Sequence, residues 1–286
     1  MSFENLSLIK DFYFQAFVIG ILISACTAML GVEVVLKKYS MLGDGLSHVS
    51  FGTLAVAAAF GNARLEVALP IVIFVAFLLL QIRQNSKING DAAVAIVSGS
   101  FMAIGIFATR LENGSNTDYN SYLTGSLFAI NDDNFIFCVV LTIIVIAIYI
   151  LFYNKIFAVT FDESFSAATG GMVGVYNFII ASLTAVTIVV GMRLIGALLI
   201  SSLTVFPVVS SLRLAKTYKS CVVLAIVASV VSYVGGFILS LCTVDFQVPA
   251  SSAIIFCNLF VLAICWLLSF LRRKGKLINL TMGDTK

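Results

Sequence analysis

Hydrophobic and polar positions alternate on the scale of whole helices rather than single turns. Apolar segments cover 12–36, 46–60, 65–82, 92–109, 135–153, 173–192, 194–212, 221–242 and 252–271. A hydrocarbon core about 30 Å thick takes about 20 apolar residues of helix to cross, and most of these segments reach that scale. The pattern predicts nine spans, or eight with one segment re-entrant. The second segment is short for a full crossing, and the sixth and seventh are separated only by Arg193, flanked by Gly191 and Gly196.

Two stretches break the rhythm. Residues 110–134 hold RLENGSNTDYNSY, then LTGSLFAI, then NDDN. LTGSLFAI is too short to cross a bilayer, so it predicts a short outer-side helix, interfacial or re-entrant. Residues 154–172 predict an inner loop in which FDESFSAATG, 161–170, forms a short cytoplasmic helix. Asp162 stands near its N-terminus, where a carboxylate accepts from free backbone N–H groups. Gly170 and Gly171 suit its end. From pattern alone, that helix reads equally as a surface connector or a docking element.

Composition narrows the class. Of 286 residues, 60% are hydrophobic and 11% charged, against about 25% charged in soluble domains. The chain is therefore expected to be an all-α polytopic membrane protein, one transmembrane domain over 1–286 with eight or nine transmembrane helices. The start, MSFENLSLIKD, lacks a cationic n-region and a cleavage site, so the first apolar run predicts a retained helix. Six cysteines stand singly with no CxxC pair, which points to packing rather than a disulfide framework. Alternating spans with Lys37 and Lys38 inside leave only Lys10, Arg64, Arg110 and Arg193 outside among the 17 basic residues. That is the positive-inside bias, and with nine spans it predicts an outside N-terminus and a cytoplasmic C-terminus.

Charges within apolar runs carry the candidate chemistry, since each costs about 2.5–3.5 kcal/mol to insert. Arg193 and Asp245 fall at predicted outer ends, and Asp91 precedes the fourth segment as a candidate cap. Glu33 reads as snorkelling or pairing with Lys37 at i+4. Asp44 and His48, the only histidine, share one helix face at the same spacing. Spacing leaves two readings open: Asp44 caps the second helix with His48 packed nearby, or the pair is a metal site or proton relay. Two ligands fall short of the four a closed site generally needs, and a symmetric dimer would supply two of each. Nitrogen and oxygen donors together suit zinc or manganese better than copper(I) or magnesium. The basic-residue count puts the pair at the inner start of the second helix.

Absences matter as well. There is no GxxxxGK[ST] loop, no HExxH and no GxSxG, so neither an ATPase nor a hydrolase is expected in this chain. Transport is the default for a polytopic chain with a sparse polar interior. A self-contained, proton-coupled secondary transporter using Asp44 and His48 is the alternative.

Several segments together resemble one family, the membrane permease subunit of bacterial zinc and manganese ABC importers (ABC-3). SMLGDGLSHVSFG, 40–52, is similar to its LGDALSHA stretch, with Gly45 where alanine is common. NGDAAVAI at 89–96, YLTGSLFAI at 122–130 and FDESFSAATG at 161–170 resemble further family segments. So do VGMRLIGALLISSLTVFPVVSSLRLAK at 190–216 and GGFILSLCTVDFQVPASSAII at 235–255. Glu33 departs from it, standing where the family has an apolar residue.

The resemblance implies that Asp44 and His48 line the translocation path and contact the cation. It implies that Asp162, Glu163, Phe165, Ala168 and Gly170 belong to the coupling helix. It also implies a homodimer, a separate cytoplasmic ATP-binding subunit that uses the ATP, and an extracytoplasmic metal-binding protein. The location implied is the bacterial cytoplasmic (inner) membrane. The cargo would be zinc or manganese, with iron a further candidate, and no cofactor is permanently held.

Overall fold

The computed structural model describes residues 3–60, 65–85, 90–111, 125, 132–243 and 248–283. Its elements are α1 (Phe3–Leu36), α2 (Leu42–Ala59), α3 (Leu65–Asn85), α4 (Gly90–Leu111) and α5 (Asp132–Phe161). They continue with α6 (Glu163–Ala168), α7 (Val173–Ile195), α8 (Ala197–Leu214), α9 (Tyr218–Cys242) and α10 (Ala250–Gly283). Each predicted apolar segment falls mainly in its own helix. Among the described residues seven helices are long and apolar enough to cross a membrane unaided, α3 has a shorter apolar stretch at 67–82, and α2 carries Asp44 and His48 within 18 residues. The chain is an all-α polytopic membrane protein. The predicted outer-side helix, apart from Gly125, and Asp245 lie outside the described residues.

Two boundaries differ from the pattern. Residues 154–161 continue α5 instead of opening a loop, because Asn-Lys-Ile-Phe-Ala-Val-Thr-Phe contains no glycine or proline to stop the helix. The break comes at Asp162, whose extended backbone (φ −147°, ψ 96°) caps α6. The sixth and seventh segments part at Gly196 rather than Arg193. Gly196 adopts φ 93°, ψ 154°, a conformation that a side chain would strain, while Arg193 lies in the last turn of α7.

Helices α1 and α7 form the centre: 72% of the apolar window of each is buried, against 11% for α10. The outer face of α10 leaves Ile264, Trp266 and Phe270 exposed. Small residues let helices close on one another. Between α2 and α4, a Cβ at Gly105 would lie 2.7 Å from the Gly52 Cα, so only glycine permits this approach. Hydroxyl groups bridge helices elsewhere: Ser229 donates to the Ser24 carbonyl and Tyr233 to that of Ala16, both at 2.9 Å.

The contacts gather one end of the bundle. Tyr39 reaches the Leu79 carbonyl of α3 and lies against Gly90 of α4. Ser211 near the end of α8 meets Cys221 near the start of α9, and Ser269 of α10 donates to the Arg213 carbonyl. Helices α1, α3, α5, α8 and α10 thus run towards this end, and α4, α7 and α9 run away from it.

At the same end α1 turns into α2. The Tyr39 N–H donates to the Val34 carbonyl and the Lys38 N–H to that of Val35, the paired bonds of a Schellman stop. Lys38 occupies the left-handed position at φ 60°, where glycine is usual. A side chain there costs about 1–2 kcal/mol.

Candidate metal site and its base

Asp44 sits in the first turn of α2, but the cap position belongs to Met41, which offers no side-chain bond. The reading of Asp44 as the helix cap is therefore replaced. Its carboxylate turns outward from the helix to two partners. His48 Nε2 stands 3.6 Å from Oδ2, beyond ordinary hydrogen-bond length, so the pair is adjacent without being closed. From α8, Ser201 Oγ donates to Oδ1 at 3.2 Å. The first turn of α2 also favours a negative side chain through the helix dipole.

The Asp44 side chain is 46% exposed and that of His48 22%. Among the described residues, no third histidine, cysteine or acidic group joins them. One chain thus presents a carboxylate and an imidazole together at a face that is still open. Such donors bind a borderline cation weakly in pairs and firmly only when further ligands arrive.

The level of the pair follows from Thr204. A Cβ at Gly43 would lie 3.2 Å from Thr204 Oγ1, and Gly31 of α1 approaches the Thr204 carbonyl. Ser201 is almost one turn further along α8 from its end at Leu214. At 1.5 Å per residue, Ser201 stands ~20 Å along the axis from Leu214. On α8 the pair's level is thus far from the helix end, whereas on α1 it matches Gly31, close to the end at Leu36. Counting basic residues had put it at the inner start of the second helix.

Below it, Glu33 and Lys37 share the same i, i+4 spacing without pairing. Glu33 is fully buried and accepts from three hydroxyls. Tyr149 donates to Oε1 at 2.8 Å, Tyr218 donates to the same oxygen, and Thr160 donates to Oε2 at 2.5 Å. This corrects the expectation of snorkelling or of a Glu33–Lys37 pair. Lys37 turns to α6 and α7 instead, donating to Glu163 Oε1 at 2.7 Å and Asn177 Oδ1 at 2.6 Å.

The helix α6 forms where FDESFSAATG predicts it. Asp162 accepts from the Phe165 N–H at 2.8 Å, which satisfies a free donor of the first turn. Phe165, Ala168 and Gly170 are exposed, whereas Glu163 turns inward to Lys37. Gly170, at φ 80°, reverses the chain after the helix. The five residues assigned to coupling thus divide into an exposed row, a cap and an inward anchor. Ser201, Asn177, Tyr149, Thr160 and Tyr218 escape sequence reading, since a hydroxyl or amide in an apolar run has no periodic signature. Only Glu33, a lone carboxylate in an apolar helix, signals the base cluster.

The sequence matches the model of the ABC 3 transport family over residues 9–269. It is 30% identical over 251 residues to the "High-affinity zinc uptake system membrane protein ZnuB" of Haemophilus influenzae, covering 88% of this chain and 95% of that protein. It is 24% identical over 274 residues to the "Manganese import system permease protein ScaB" of Streptococcus gordonii, covering 94% and 97%. Its fold is similar to that of "PsaBC from Streptococcus pneumoniae in complex with Fab", with TM-score 0.78 at 24% identity, covering 89% of this chain and 91% of that chain.

Proposed function

The chain belongs to the ABC 3 transport family, and we propose that it is the membrane permease of an importer that moves zinc or manganese. Asp44 and His48 contact the cation in passage, and a second copy of the chain completes the coordination. The carrying observation is the pair itself: two donors at one face, partly exposed, steadied by Ser201 and joined by no further cysteine or acidic group among the described residues. Two copies would bring two carboxylates and two imidazoles together. Such a set holds a borderline cation and releases it once the copies rearrange and ligands are lost.

Rearrangement needs work that this chain does not generate. A separate cytoplasmic ATP-binding subunit docks on α6 through the exposed Phe165, Ala168 and Gly170, and an extracytoplasmic metal-binding protein delivers the ion. The end carrying α6 is the cytoplasmic one, with the N-terminus outside. Arg213 and Lys216, at the end of α8 and just beyond it, support this through the positive-inside bias.

The test is metal uptake into proteoliposomes holding this chain and its candidate ATPase, comparing zinc, manganese and iron. ATP-driven uptake of zinc or manganese is expected, with none from a proton gradient alone. Gradient-driven uptake without the ATPase would reassign the chain as a self-contained secondary transporter.

A further inference from the structure

Building on that reading of α6 as the docking helix, we propose that Lys37 is the positioning residue of the transport cycle. Through its bridge to Glu163, movement of α6 is passed to the α1–α2 turn and so to the Asp44–His48 pair.

The helix α6 is weakly packed. Of its six residues only Ser166 is buried, so apolar contact holds it poorly. A cavity of about 420 Å³ opens beside it, lined by Leu36, Lys37, Tyr39, Thr160 and Glu163 among others. Across this gap the Lys37 ammonium joins three elements: α1 by its own backbone, α6 through Glu163 and α7 through Asn177. Lys37 is only 6% exposed, while the Glu163 side chain remains 39% exposed, and a charge-assisted bond of this kind is short and directional. A shift of α6 therefore reaches Lys37 through the Glu163 carboxylate, which also accepts from the Asn177 amide at 3.4 Å.

From Lys37 the route to the pair is short and stiff. The Lys37 N–H donates to the Glu33 carbonyl, and the Lys38, Tyr39, Leu42 and Gly45 N–H groups are all bonded back along the turn. The buried Tyr39 hydroxyl anchors the turn to the Leu79 and Leu80 carbonyls of α3, at 3.2 and 3.3 Å. Asp44 follows in the first turn of α2. A turn with its backbone bonds closed transmits a displacement rather than absorbing it. Glu33 offers a parallel tie, since Thr160 and Tyr149 join α5 to α1. That tie is made to α5, and it gives the control.

The experiment reconstitutes the whole transporter and measures metal moved per ATP hydrolysed. The variants are Lys37→Gln, Glu163→Gln, the exchange Lys37→Glu with Glu163→Lys, and Thr160→Val. Either single neutralisation should lower the ratio about tenfold, with ATPase association and basal hydrolysis within about twofold of the unaltered chain. The exchange restores a bridge, with the Asn177 amide now donating to the carboxylate, and should recover most of the ratio. Thr160→Val should leave the ratio unchanged.

A ratio unchanged in Lys37→Gln, or no recovery in the exchange, overturns the proposal. So does a loss of ATPase association that accounts for the whole fall, or a fall in Thr160→Val as large as in Lys37→Gln. If the unaltered chain shows no ATP-driven uptake, the functional reading fails and takes this inference with it. If the unaltered chain pumps and the exchange does not recover, this inference alone falls.

Discussion

Two pairs of a carboxylate with a basic side chain, identically spaced, lie eleven positions apart: Glu33 with Lys37 and Asp44 with His48. The second pair stays together, 3.6 Å apart and partly open to the outside of the chain. The first divides: Glu33 is sealed among three hydroxyls, and Lys37 bridges α1 to α6 and α7. The difference is the surroundings. Helix α1 is central, so Glu33 within it and Lys37 just past its end meet other helices that supply donors and acceptors. The start of α2 faces outward on one side, and the hydrogen bond that reaches the Asp44 carboxylate from another helix comes from Ser201. Burial with neutral donors makes a structural joint, while exposure with one steadying bond leaves coordination capacity unused.

If that contrast holds, function and stability separate. Asp44→Ala or His48→Ala should lower metal uptake about 100-fold or more, on the scale set by losing the supports of metal ligands. Chain level on an immunoblot should not change, and normal uptake by both variants would remove the pair from the pathway. Glu33→Ala should do the reverse. Three hydroxyls lose their acceptor, and although Tyr149 and Tyr218 keep their bond to each other, each buried group left unsatisfied costs about 1–3 kcal/mol. Thermal unfolding in detergent should register that loss while uptake per folded molecule stays near normal. A Glu33→Ala variant as stable as the parent would erase the distinction between the two regions.

Finer variants sharpen the same contrast. Tyr149→Phe should cost about 1 kcal/mol in the unfolding assay and spare uptake. Ser201→Ala removes the bond that steadies Asp44 and should reduce uptake about fivefold, equivalent to about 1 kcal/mol, without a shift in unfolding. The smallest effect is expected at the hinge. Lys38→Gly relieves a left-handed side chain, and after the entropy cost of glycine the gain should be about 0.5 kcal/mol. A clear destabilisation would mean that the Lys38 side chain supports the turn.

Much of this is legible in sequence. The apolar runs mark every long helix, because partition into hydrocarbon is a property of each segment alone. FDESFSAATG marks α6, because a cap and a glycine stop act within one turn. The Asp44–His48 pair is visible because 3.6 residues per turn make i and i+4 neighbours. That same rule misleads at Glu33 and Lys37. It states which side chains share a face and not what the face meets. The α5 extension is missed for a related reason: polar Asn154 and Lys155 read as a loop, yet neither stops a helix.

The sequence by itself therefore determined the class of protein, the extent of its described long helices, the short helix α6 and the adjacency of Asp44 and His48 on one helix face. All of these rest on interactions within a few residues of chain. Only the tertiary structure decided which carboxylate is sealed and which stays open, how deep Asp44 lies, and that Lys37 belongs to α6. Those outcomes depend on partners such as Tyr149 for Glu33, 116 residues away, and Ser201 for Asp44, 157 residues away. The rotation and level of packed helices bring such groups together, and here close approaches at Gly31, Gly43, Gly52 and Gly105 set them. No local pattern encodes that setting.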